Sequence, residues 1–430
     1  MRSILVVLDG LGDRGYDVFE GETPLQAAHT PHLDRIAALG VNGLYHSTTQ
    51  GMAMPSETAH FCLFGYDIGD FPGRGPLEAI GENISMGDGD VALLARIYSV
   101  EEKGRLLVLR QENPEVDAET CRLLHKEVGR YEENGIEVEF VPTKGIQGIL
   151  ILRGEVSPRI TDSNPIYEGR PLMEILPLSD TEKGKRTADV LNNYLVWCYQ
   201  RLSRHPVNLD RARRGLPALN GVGTQRAGGM KHVPPFRERW GLKAMSIASG
   251  AVYHGLCALI GMDCFKVGDT DAPDKDLRER LRIAKETKDF DFVHVHTKAV
   301  DEASHTKSAQ YKKDVIERID LALAYALEEI IPDEEILFVV TSDHSTPSSG
   351  AMIHSGETVP LTMVGKYTRR DDVAAFNEIS CAKGALGLVR GRELMHLILN
   401  FLDRAQLVGL RDSPVDRPYI VADAKPLRVR

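Results

Sequence analysis

Short, mainly apolar runs recur along the chain and predict buried strands. The clearest four cover residues 4–8, 290–296, 335–341 and 360–364. Apolar runs rich in β-branched residues are typical of strands that are covered on both faces, as in parallel sheets. Amphipathic helical patterns, such as that of residues 314–330, lie between them. This alternation predicts an α/β fold with a doubly wound, mostly parallel sheet.

The pattern changes between residues 88 and 179. A helical pattern is followed there by two short strand-like runs, at residues 136–140 and 148–152. Strands mixed with a crossover helix indicate an α+β insertion that lies over the main sheet. We therefore expect a core domain of residues 1–87 and 180–430 and an inserted cap domain of residues 88–179, which opens and closes over a site.

Length and charge narrow the possible classes of protein. A chain of 430 residues is too long for one ordinary hydrophobic core. Its formal net charge of -10 argues against nucleic acid or an anionic membrane as a partner. A small anionic substrate would need arginine, lysine or a metal ion to bind. Nothing in the sequence indicates the oligomeric state.

Cysteine usage and the lack of long apolar segments indicate the compartment. The six cysteines are scattered, without the paired spacing of a zinc knuckle or a redox motif. Reduced thiols are typical of cytosolic proteins. The chain starts with a strand-like run instead of a signal peptide, and no stretch is long and apolar enough to cross a bilayer. We expect a soluble, cytoplasmic protein.

Polar side chains with metal-binding chemistry follow three of the predicted strands. Asp9 follows the first run, and Asp301 and His305 follow the second run, four residues apart on one face of a short helix. The loop after the third run contributes Asp343, His344 and His354. The carboxyl ends of parallel strands meet at one edge of a sheet, where ligands bind. Taken alone, Asp9 could be a turn former, and Asp301 with His305 a surface ion pair.

Ser56 lies where a loop turns into a helix. Local context alone favours a helix N-cap, because serine is a preferred residue at that position. The alternative is a nucleophile, because a metal ion lowers the pKa of a nearby hydroxyl and a helix N-terminus favours an anion. His60 lies one turn later on the same face, where a buried core histidine is the commoner role and contact with the site the alternative.

Gathering these groups at one edge would require cations. Two carboxylates about 4 Å apart repel by roughly 4 kcal/mol at an effective dielectric constant near 20. Imidazole with carboxylate suits zinc, manganese or cobalt, and carboxylate also suits magnesium. Three aspartates, three histidines and a serine are too many ligands for one tetrahedral ion. They predict a site for two divalent metal ions of the type that catalyses phosphoryl transfer.

Three glycine-rich segments are candidate anion-binding loops. The first, residues 10–15, has the G-x-G-x-x-G spacing of dinucleotide-binding folds, but residues 16–24 form a loop where that fingerprint requires a helix. We therefore do not expect a dinucleotide there. Arg74 and Arg226 lie in the other two segments, where a phosphate or carboxylate could approach closely, although each also suits a surface turn.

Five motifs carry a resemblance that spans nearly the whole chain. They are Val-Leu-Asp9-Gly-Leu-Gly-Asp, Pro-Ser56-Glu-Thr-Ala-His, Pro-Gly-Arg74-Gly-Pro-Leu-Glu-Ala, His-Thr-Lys-Ala-Val-Asp301-Glu-Ala-Ser-His305, and Ser-Asp343-His344-Ser-Thr-Pro with Ile-His354-Ser-Gly-Glu. With these motifs the chain resembles the cofactor-independent phosphoglycerate mutases of archaeal type, within the alkaline phosphatase superfamily.

The resemblance implies both the reaction and the roles of the residues. Ser56 would take the phosphoryl group from 3-phosphoglycerate and return it to the other hydroxyl, giving 2-phosphoglycerate in glycolysis or gluconeogenesis without 2,3-bisphosphoglycerate. Lys298 and Arg226 would lie near the substrate. The implied ligand sets are Asp301, His305 and His354 for one ion and Asp9, Ser56, Asp343 and His344 for the other.

The cap departs from the family pattern at two places. Leu93 and Leu94 stand where the archaeal proteins commonly have an arginine, with Arg96 shifted, and residues 162–166 lack a usual histidine. The same core in a metal-dependent phosphatase or phosphodiesterase, acting on another small phosphorylated metabolite, is therefore the alternative function. A non-catalytic metal-binding protein is a third interpretation, against which Ser56 and the two complete ligand sets argue.

Overall fold

The structure is a computed structural model that describes residues 1–420 and 425–429. This part of the chain forms fourteen strands. They are β1 (Arg2–Leu8), β2 (Val41–His46), β3 (Val91–Lys103), β4 (Leu106–Gln111), β5 (Arg130–Glu133), β6 (Ile136–Pro142), β7 (Gln147–Arg153), β8 (Gly221–Gly229), β9 (Ala244–Ala248), β10 (Asp263–Lys266), β11 (Phe292–Thr297), β12 (Ile336–Thr341), β13 (Val359–Val364) and β14 (Gly387–Arg390).

Fourteen α-helices accompany these strands in the described residues. They are α1 (Pro24–Ala27), α2 (Pro31–Leu39), α3 (Ser56–Leu63), α4 (Arg74–Gly81), α5 (Ala118–Val128), α6 (Glu182–Arg204), α7 (Pro206–Arg213), α8 (Phe236–Trp240), α9 (Ala251–Ile260), α10 (Pro273–Glu286), α11 (Ala299–His305), α12 (Ala309–Tyr325), α13 (Glu378–Cys381) and α14 (Glu393–Phe401). Short 3-10 turns cover Asp17–Phe19 and Ile68–Asp70, and a π turn covers Ala326–Ile330.

The chain forms two compact units. The first consists of Met1–Phe71 and the chain from Val233 onward, and the second of Pro72–His232. The second unit is larger than the expected insertion of residues 88–179. It also takes in α4 and the segment from α6 to β8, because β8 pairs along β3 and both helices pack on β8.

An eight-stranded sheet runs through the first unit in the order β10-β9-β11-β1-β12-β13-β2-β14. Its pairs are parallel except those that β13 makes with β12 and β2, so only β13 runs against the others. The predicted α/β fold with a mostly parallel sheet is confirmed.

Burial in the middle of this sheet explains why its strands are mainly apolar runs. Every residue of β11 and β12, and every residue of β1 except Arg2, is buried, and apolar residues of these strands pack in a core cluster with α10 and α12. The register places Leu8 opposite Thr297 and Val7 opposite Thr341. The three strands therefore end at the same level of one sheet edge.

The second unit has an antiparallel sheet of its own. Strands β4-β3-β7-β6-β5 follow one another, and β8 lies on the other side of β3. Apolar residues of α5 and α6, among them Leu124, Leu191 and Tyr194, pack with Val138 and Leu150 in its core. The apolar face of α6 therefore forms part of the hydrophobic core of the second unit.

Two further expectations concern the helices and thiols. The helix expected at residues 314–330 begins earlier, at Ala309, where the Ser308 side chain accepts a hydrogen bond from the backbone N–H of Tyr311. None of the helices in the described residues combines the length and apolar character needed to span a membrane. All six cysteines carry free thiols.

Candidate metal centre

Three parallel strands bring the candidate ligands to one edge of the first unit's sheet. Asp9 follows β1 directly, Asp301 lies in the first turn of α11 just beyond β11, and Asp343 follows β12. The carboxyl ends of parallel strands lie at one edge, so these three carboxylates converge although they are far apart in sequence.

Gly10 allows this convergence. Its backbone has φ of 66°, a left-handed conformation that favours glycine. A Cβ atom at Gly10 would lie 2.6 Å from Asp301 Oδ1 and 2.7 Å from Thr346 Oγ1, too close for any side chain. The glycines of this loop thus bring the backbone against the carboxylate cluster, a role unrelated to dinucleotide binding.

Asp9 is buried and is held by several side chains. Its Oδ1 lies 3.2 Å from Nε2 of His344, and its Oδ2 lies 2.9 Å from Nε2 of His296 and accepts a hydrogen bond of 2.9 Å from the Tyr253 hydroxyl. Burial raises the pKa of Asp9, but the bonds with His296 and His344 outweigh it and hold that pKa well below its usual value. Asp9 is therefore a carboxylate.

Ser56 is the first residue of α3, and Pro55 occupies the N-cap position. The local interpretation of Ser56 as the N-cap is therefore wrong. Its Oγ instead lies 2.9 Å from Nε2 of His344 and 3.4 Å from Oδ1 of Asp9. The hydroxyl thus points into the cluster from a helix N-terminus.

His60 is both a buried residue and a neighbour of the site. Its Nδ1 lies 2.9 Å from the Ser56 carbonyl oxygen and 3.2 Å from Oδ2 of Asp343. Burial lowers the pKa of His60, and the charge of Asp343 overcomes this and raises it. His60 therefore has both of the roles that the sequence leaves open, that of a buried core histidine and that of a residue in contact with the site.

Asp343 and His344 connect these groups. The backbone N–H of Gly10 donates to Asp343 Oδ1 (3.2 Å), whereas Asp343 Oδ2 lies 3.3 Å from His344 Nε2. Burial lowers the pKa of His344, but the carboxylates of Asp343 and Asp9 raise it to about 10. This imidazole therefore lies in a strongly negative environment.

A second group, more open to solvent, adjoins the first through Asp301. His305 Nε2 lies 3.2 Å from Asp301 Oδ2, and His354 Nε2 lies 3.7 Å from Asp301 Oδ1. The Thr346 hydroxyl donates to Asp301 Oδ1 (2.7 Å), and the rings of His344 and His354 stack with centroids 4.0 Å apart. All seven candidate ligands thus lie in one continuous cluster.

The chemistry of this cluster fits divalent cations. Ligand atoms lie within 4.8 Å of one another in two sets, Asp9 with Asp343 and His344, and Asp301 with His344 and His354. Asp343 Oδ2 is buried and accepts no hydrogen bond of regular geometry from the described residues, although imidazole nitrogens of His60 and His344 lie 3.2 Å and 3.3 Å away, so the oxygen suits a cation. His344 belongs to both sets, whereas the family likeness implies His305 in its place on the Asp301 side.

Sequence reasoning missed three residues that hold the ligands in place. Tyr253 and His296 contact Asp9, and Thr346 contacts Asp301 and lies 3.1 Å from His344 Nδ1. His296 could have been found, because His294 and His296 alternate on one face of an otherwise apolar strand. Tyr253 lies in the apolar helix α9, where no sequence signal marks it.

The candidate substrate arginines lie in the second unit, around one cavity of about 150 Å³. Arg74, Arg226 and the shifted Arg96 all line it. Arg226 has φ of 59° at an irregular point of the β3–β8 pairing, and its N–H donates to Asp162 Oδ1 (2.6 Å). Asp162 is the first residue of the segment that lacks the family's histidine, and Leu94 and Arg96 mark the other departure from the family pattern. Leu94 and Arg96 line the cavity, and Asp162 contacts Arg226, which also lines it.

Lys298 lies in the first unit, beside the carboxylate cluster. Its Nζ is 5.8 Å from the centre of the Tyr253 ring, whose hydroxyl contacts Asp9. The Asp269 carboxylate lies 3.8 Å from the same Nζ. A lysine held between an aromatic ring and a carboxylate is suited to contact an anionic ligand.

The mostly parallel sheet and the acid–histidine cluster at its edge define an α/β enzyme with a metal centre. The family model for 2,3-bisphosphoglycerate-independent phosphoglycerate mutase matches residues 37–208. Phosphoglycerate mutases 2 and 1 of this type from Methanocaldococcus jannaschii are 39% and 38% identical to the chain. The first alignment covers 98% of this chain and 98% of the relative, and the second covers 95% of this chain and 99% of the relative.

Solved structures agree with these relatives. A cofactor-independent phosphoglycerate mutase from Thermoplasma acidophilum has a TM-score of 0.63 and 29% identity, covering 93% of this chain and 99% of its own. The PH0037 protein from Pyrococcus horikoshii has a TM-score of 0.75 and 26% identity, covering 95% and 99%. The chain belongs to the 2,3-bisphosphoglycerate-independent phosphoglycerate mutase family, as its motifs predict.

Proposed function

We propose that this protein interconverts 3-phosphoglycerate and 2-phosphoglycerate without 2,3-bisphosphoglycerate, as a metal-dependent phosphomutase of glycolysis and gluconeogenesis. Membership of the family supports the reaction. The single observation that carries it is the Ser56 hydroxyl, 2.9 Å from His344 Nε2 within a cluster of three carboxylates. A cytoplasmic location of the enzyme is part of the same proposal.

Two divalent cations, of manganese, cobalt, zinc or magnesium, would occupy the cluster. Asp301, His305 and His354 would hold one, and Asp9, Ser56, Asp343 and His344 the other. Bound cations would lower the pKa of a neighbouring hydroxyl and offset the charge of phosphoryl oxygens. The buried Asp343 Oδ2, which accepts no regular hydrogen bond, and the presence of two sets of ligand atoms support two cations, and the place of His305 in the first set rests on the family likeness.

Ser56 is the proposed nucleophile. Its oxygen attacks the phosphorus of the bound phosphoglycerate, the bond from phosphorus to the substrate oxygen breaks, and phosphoserine and glycerate form. The other hydroxyl of the same glycerate then attacks the phosphoserine and restores Ser56. His344 and Asp9 fix the Ser56 oxygen in position, and the helix N-terminus of α3 favours the anion that develops there.

Three cationic side chains are the proposed contacts of the anionic substrate. Lys298 lies beside the cluster, and Arg74 and Arg226 share the cavity of the second unit. Arginine binds carboxylate and phosphate oxygens through two parallel N–H bonds, which fixes the orientation of a substrate as well as its charge.

One assay tests the proposal against its alternative. Purified protein supplied with Mn²⁺ and 3-phosphoglycerate should form 2-phosphoglycerate without added bisphosphoglycerate, and chelation of the metal should stop the reaction. Release of inorganic phosphate as the main product would instead show a phosphatase, in which water discharges the phosphoserine. Absence of both products would exclude both functions for this substrate.

A further inference from the structure

Lys312 is a buried cation that the proposed reaction does not use. It lies in α12, with its side chain completely buried. Its Nζ donates to the backbone oxygens of Gly10 (3.0 Å), Gly12 (2.9 Å) and Thr346 (2.9 Å), and lies 3.1 Å from Asp13 Oδ2. Burial lowers the pKa of Lys312 and the Asp13 carboxylate opposes that shift. Four oxygen atoms around one nitrogen suit its ammonium form, which only donates.

Asp13 extends this contact into a network. Its Oδ2 accepts hydrogen bonds from the backbone N–H (3.1 Å) and the hydroxyl (2.7 Å) of Ser348. Its Oδ1 accepts hydrogen bonds from the Tyr16 hydroxyl (2.6 Å) and from the backbone N–H of Arg14 (2.7 Å). The ion pair therefore joins the loop after β1 to the loop after β12. A buried ion pair is weak evidence for stability, so a specific geometric role is the better explanation of it.

Lys312 contacts the backbone of two residues that in turn contact both groups of candidate ligands. Gly10, whose carbonyl it binds, follows Asp9 and donates its N–H to Asp343 Oδ1. Thr346, whose carbonyl it also binds, uses its hydroxyl to contact Asp301 and His344. The ammonium group thus lies behind both metal groups and contacts the backbone that carries them.

We propose that Lys312, paired with Asp13, is a positioning residue that fixes the two ligand-bearing loops against each other and so sets the separation of the two metal groups. Gly12 supports the arrangement, because a Cβ atom there would lie 2.1 Å from Ser345 Oγ and would force the loops apart. The inference rests on the proposed metal centre. Residues that orient metal ligands from behind typically change metal affinity about 10- to 100-fold when they are replaced.

The test is a Mn²⁺ titration of the full chain in wild type and in two variants. Lys312→Met keeps the length of the side chain and removes the ammonium. Lys313→Met is the matched control, because Lys313 is its neighbour in α12 and, in the part of the chain that the structure describes, its ion pair is with Glu317, one turn later in the same helix. We expect Lys312→Met to weaken Mn²⁺ binding roughly 10- to 100-fold. At saturating Mn²⁺ its kcat should stay low with an unchanged KM, and Lys313→Met should match wild type.

A second variant separates positioning from folding. Lys312→Met alone leaves the Asp13 carboxylate buried and unpaired, which could unfold the protein. The double variant Lys312→Met with Asp13→Asn removes both charges and should fold, as its thermal unfolding would show, and yet bind Mn²⁺ as weakly as the single variant. A folded double variant with wild-type Mn²⁺ affinity would overturn the role proposed for Lys312 and would leave the proposed metal centre untouched. Wild type without Mn²⁺ binding would overturn the proposed metal centre as well.

Discussion

The two halves of the candidate metal centre differ in how firmly the protein holds them. In the closed half, Asp9, Asp343 and His344 are no more than 5% exposed. In the open half, the side chains of Asp301 and His354 are 15% and 13% exposed and that of His305 is 38% exposed. The closed half lies against Ser56, the proposed nucleophile, whereas the open half is more exposed to solvent.

The contacts behind each half explain the difference. Tyr253 and His296 hold Asp9, and His60 lies against Asp343, so side chains fix the closed half from several directions. In the open half, His354 Nδ1 lies 2.7 Å from the Met54 carbonyl oxygen, whereas His305 pairs with Asp301 and has a ring contact with His354 at a centroid distance of 5.4 Å. On the proposed mechanism, the closed half is therefore preorganised, whereas the open half would exchange a cation and admit substrate more readily.

The largest expected effect concerns the nucleophile beside the closed half. Ser56→Ala should lower mutase activity by more than about 1,000-fold, because it removes the oxygen proposed to accept the phosphoryl group. The buried carboxylates and imidazoles remain, so Mn²⁺ binding should persist. Coupled enzyme assays and a Mn²⁺ titration give both quantities, and Ser349→Ala, at an exposed serine in the loop that also carries His344, is the control. Retained activity would remove Ser56 from the mechanism.

Replacing a ligand of the closed half should be the next largest change. Asp343→Asn removes the carboxylate shared by His60 and His344, so activity should fall by at least about 100-fold. Because the rest of this half cannot rearrange around the missing charge, excess Mn²⁺ should not restore it. Recovery of wild-type activity at high Mn²⁺ would show that the closed half is not preorganised.

The same experiment on the open half should give a smaller, reversible effect. His305→Gln should weaken the binding of one Mn²⁺ roughly 10-fold and lower activity at limiting metal, whereas excess Mn²⁺ should restore it. The reason is that the His305 side chain is 38% exposed and contacts residues of the open half, Asp301 and His354. If His305→Gln were as damaging as Asp343→Asn at every Mn²⁺ concentration, the contrast between the halves would be lost.

The smallest effect should come from the supporting contacts. Tyr253→Phe removes one hydrogen bond to Asp9 and keeps the ring, at a cost of about 1 kcal/mol, or roughly fivefold in Mn²⁺ affinity. Isothermal titration would measure this change, with Tyr367→Phe, an exposed tyrosine, as the control. An unchanged affinity would show that Asp9 does not depend on this bond.

The sequence predicts the parts of this molecule that depend on local pattern and on strand ends. Mainly apolar runs predict β1, β11 and β12, and the meeting of parallel strand ends at one sheet edge then brings Asp9, Asp301 and Asp343 together. The extent of the second unit could not be predicted, because it depends on the long-range pairing of β3 with β8. Lys312 was missed because a lysine within an amphipathic helix usually lies at the solvated face, and only tertiary structure shows the carbonyls around it.

The central claim is that Ser56 carries the phosphoryl group between the two hydroxyls of glycerate. Its most direct test is an acid quench of the Mn²⁺-loaded enzyme during turnover of 3-phosphoglycerate, followed by mass spectrometry of the peptide that contains Ser56. The account predicts that a fraction of this peptide is heavier by one phosphoryl group, with the modification on Ser56. Active enzyme whose Ser56 peptide never carries phosphate would contradict it.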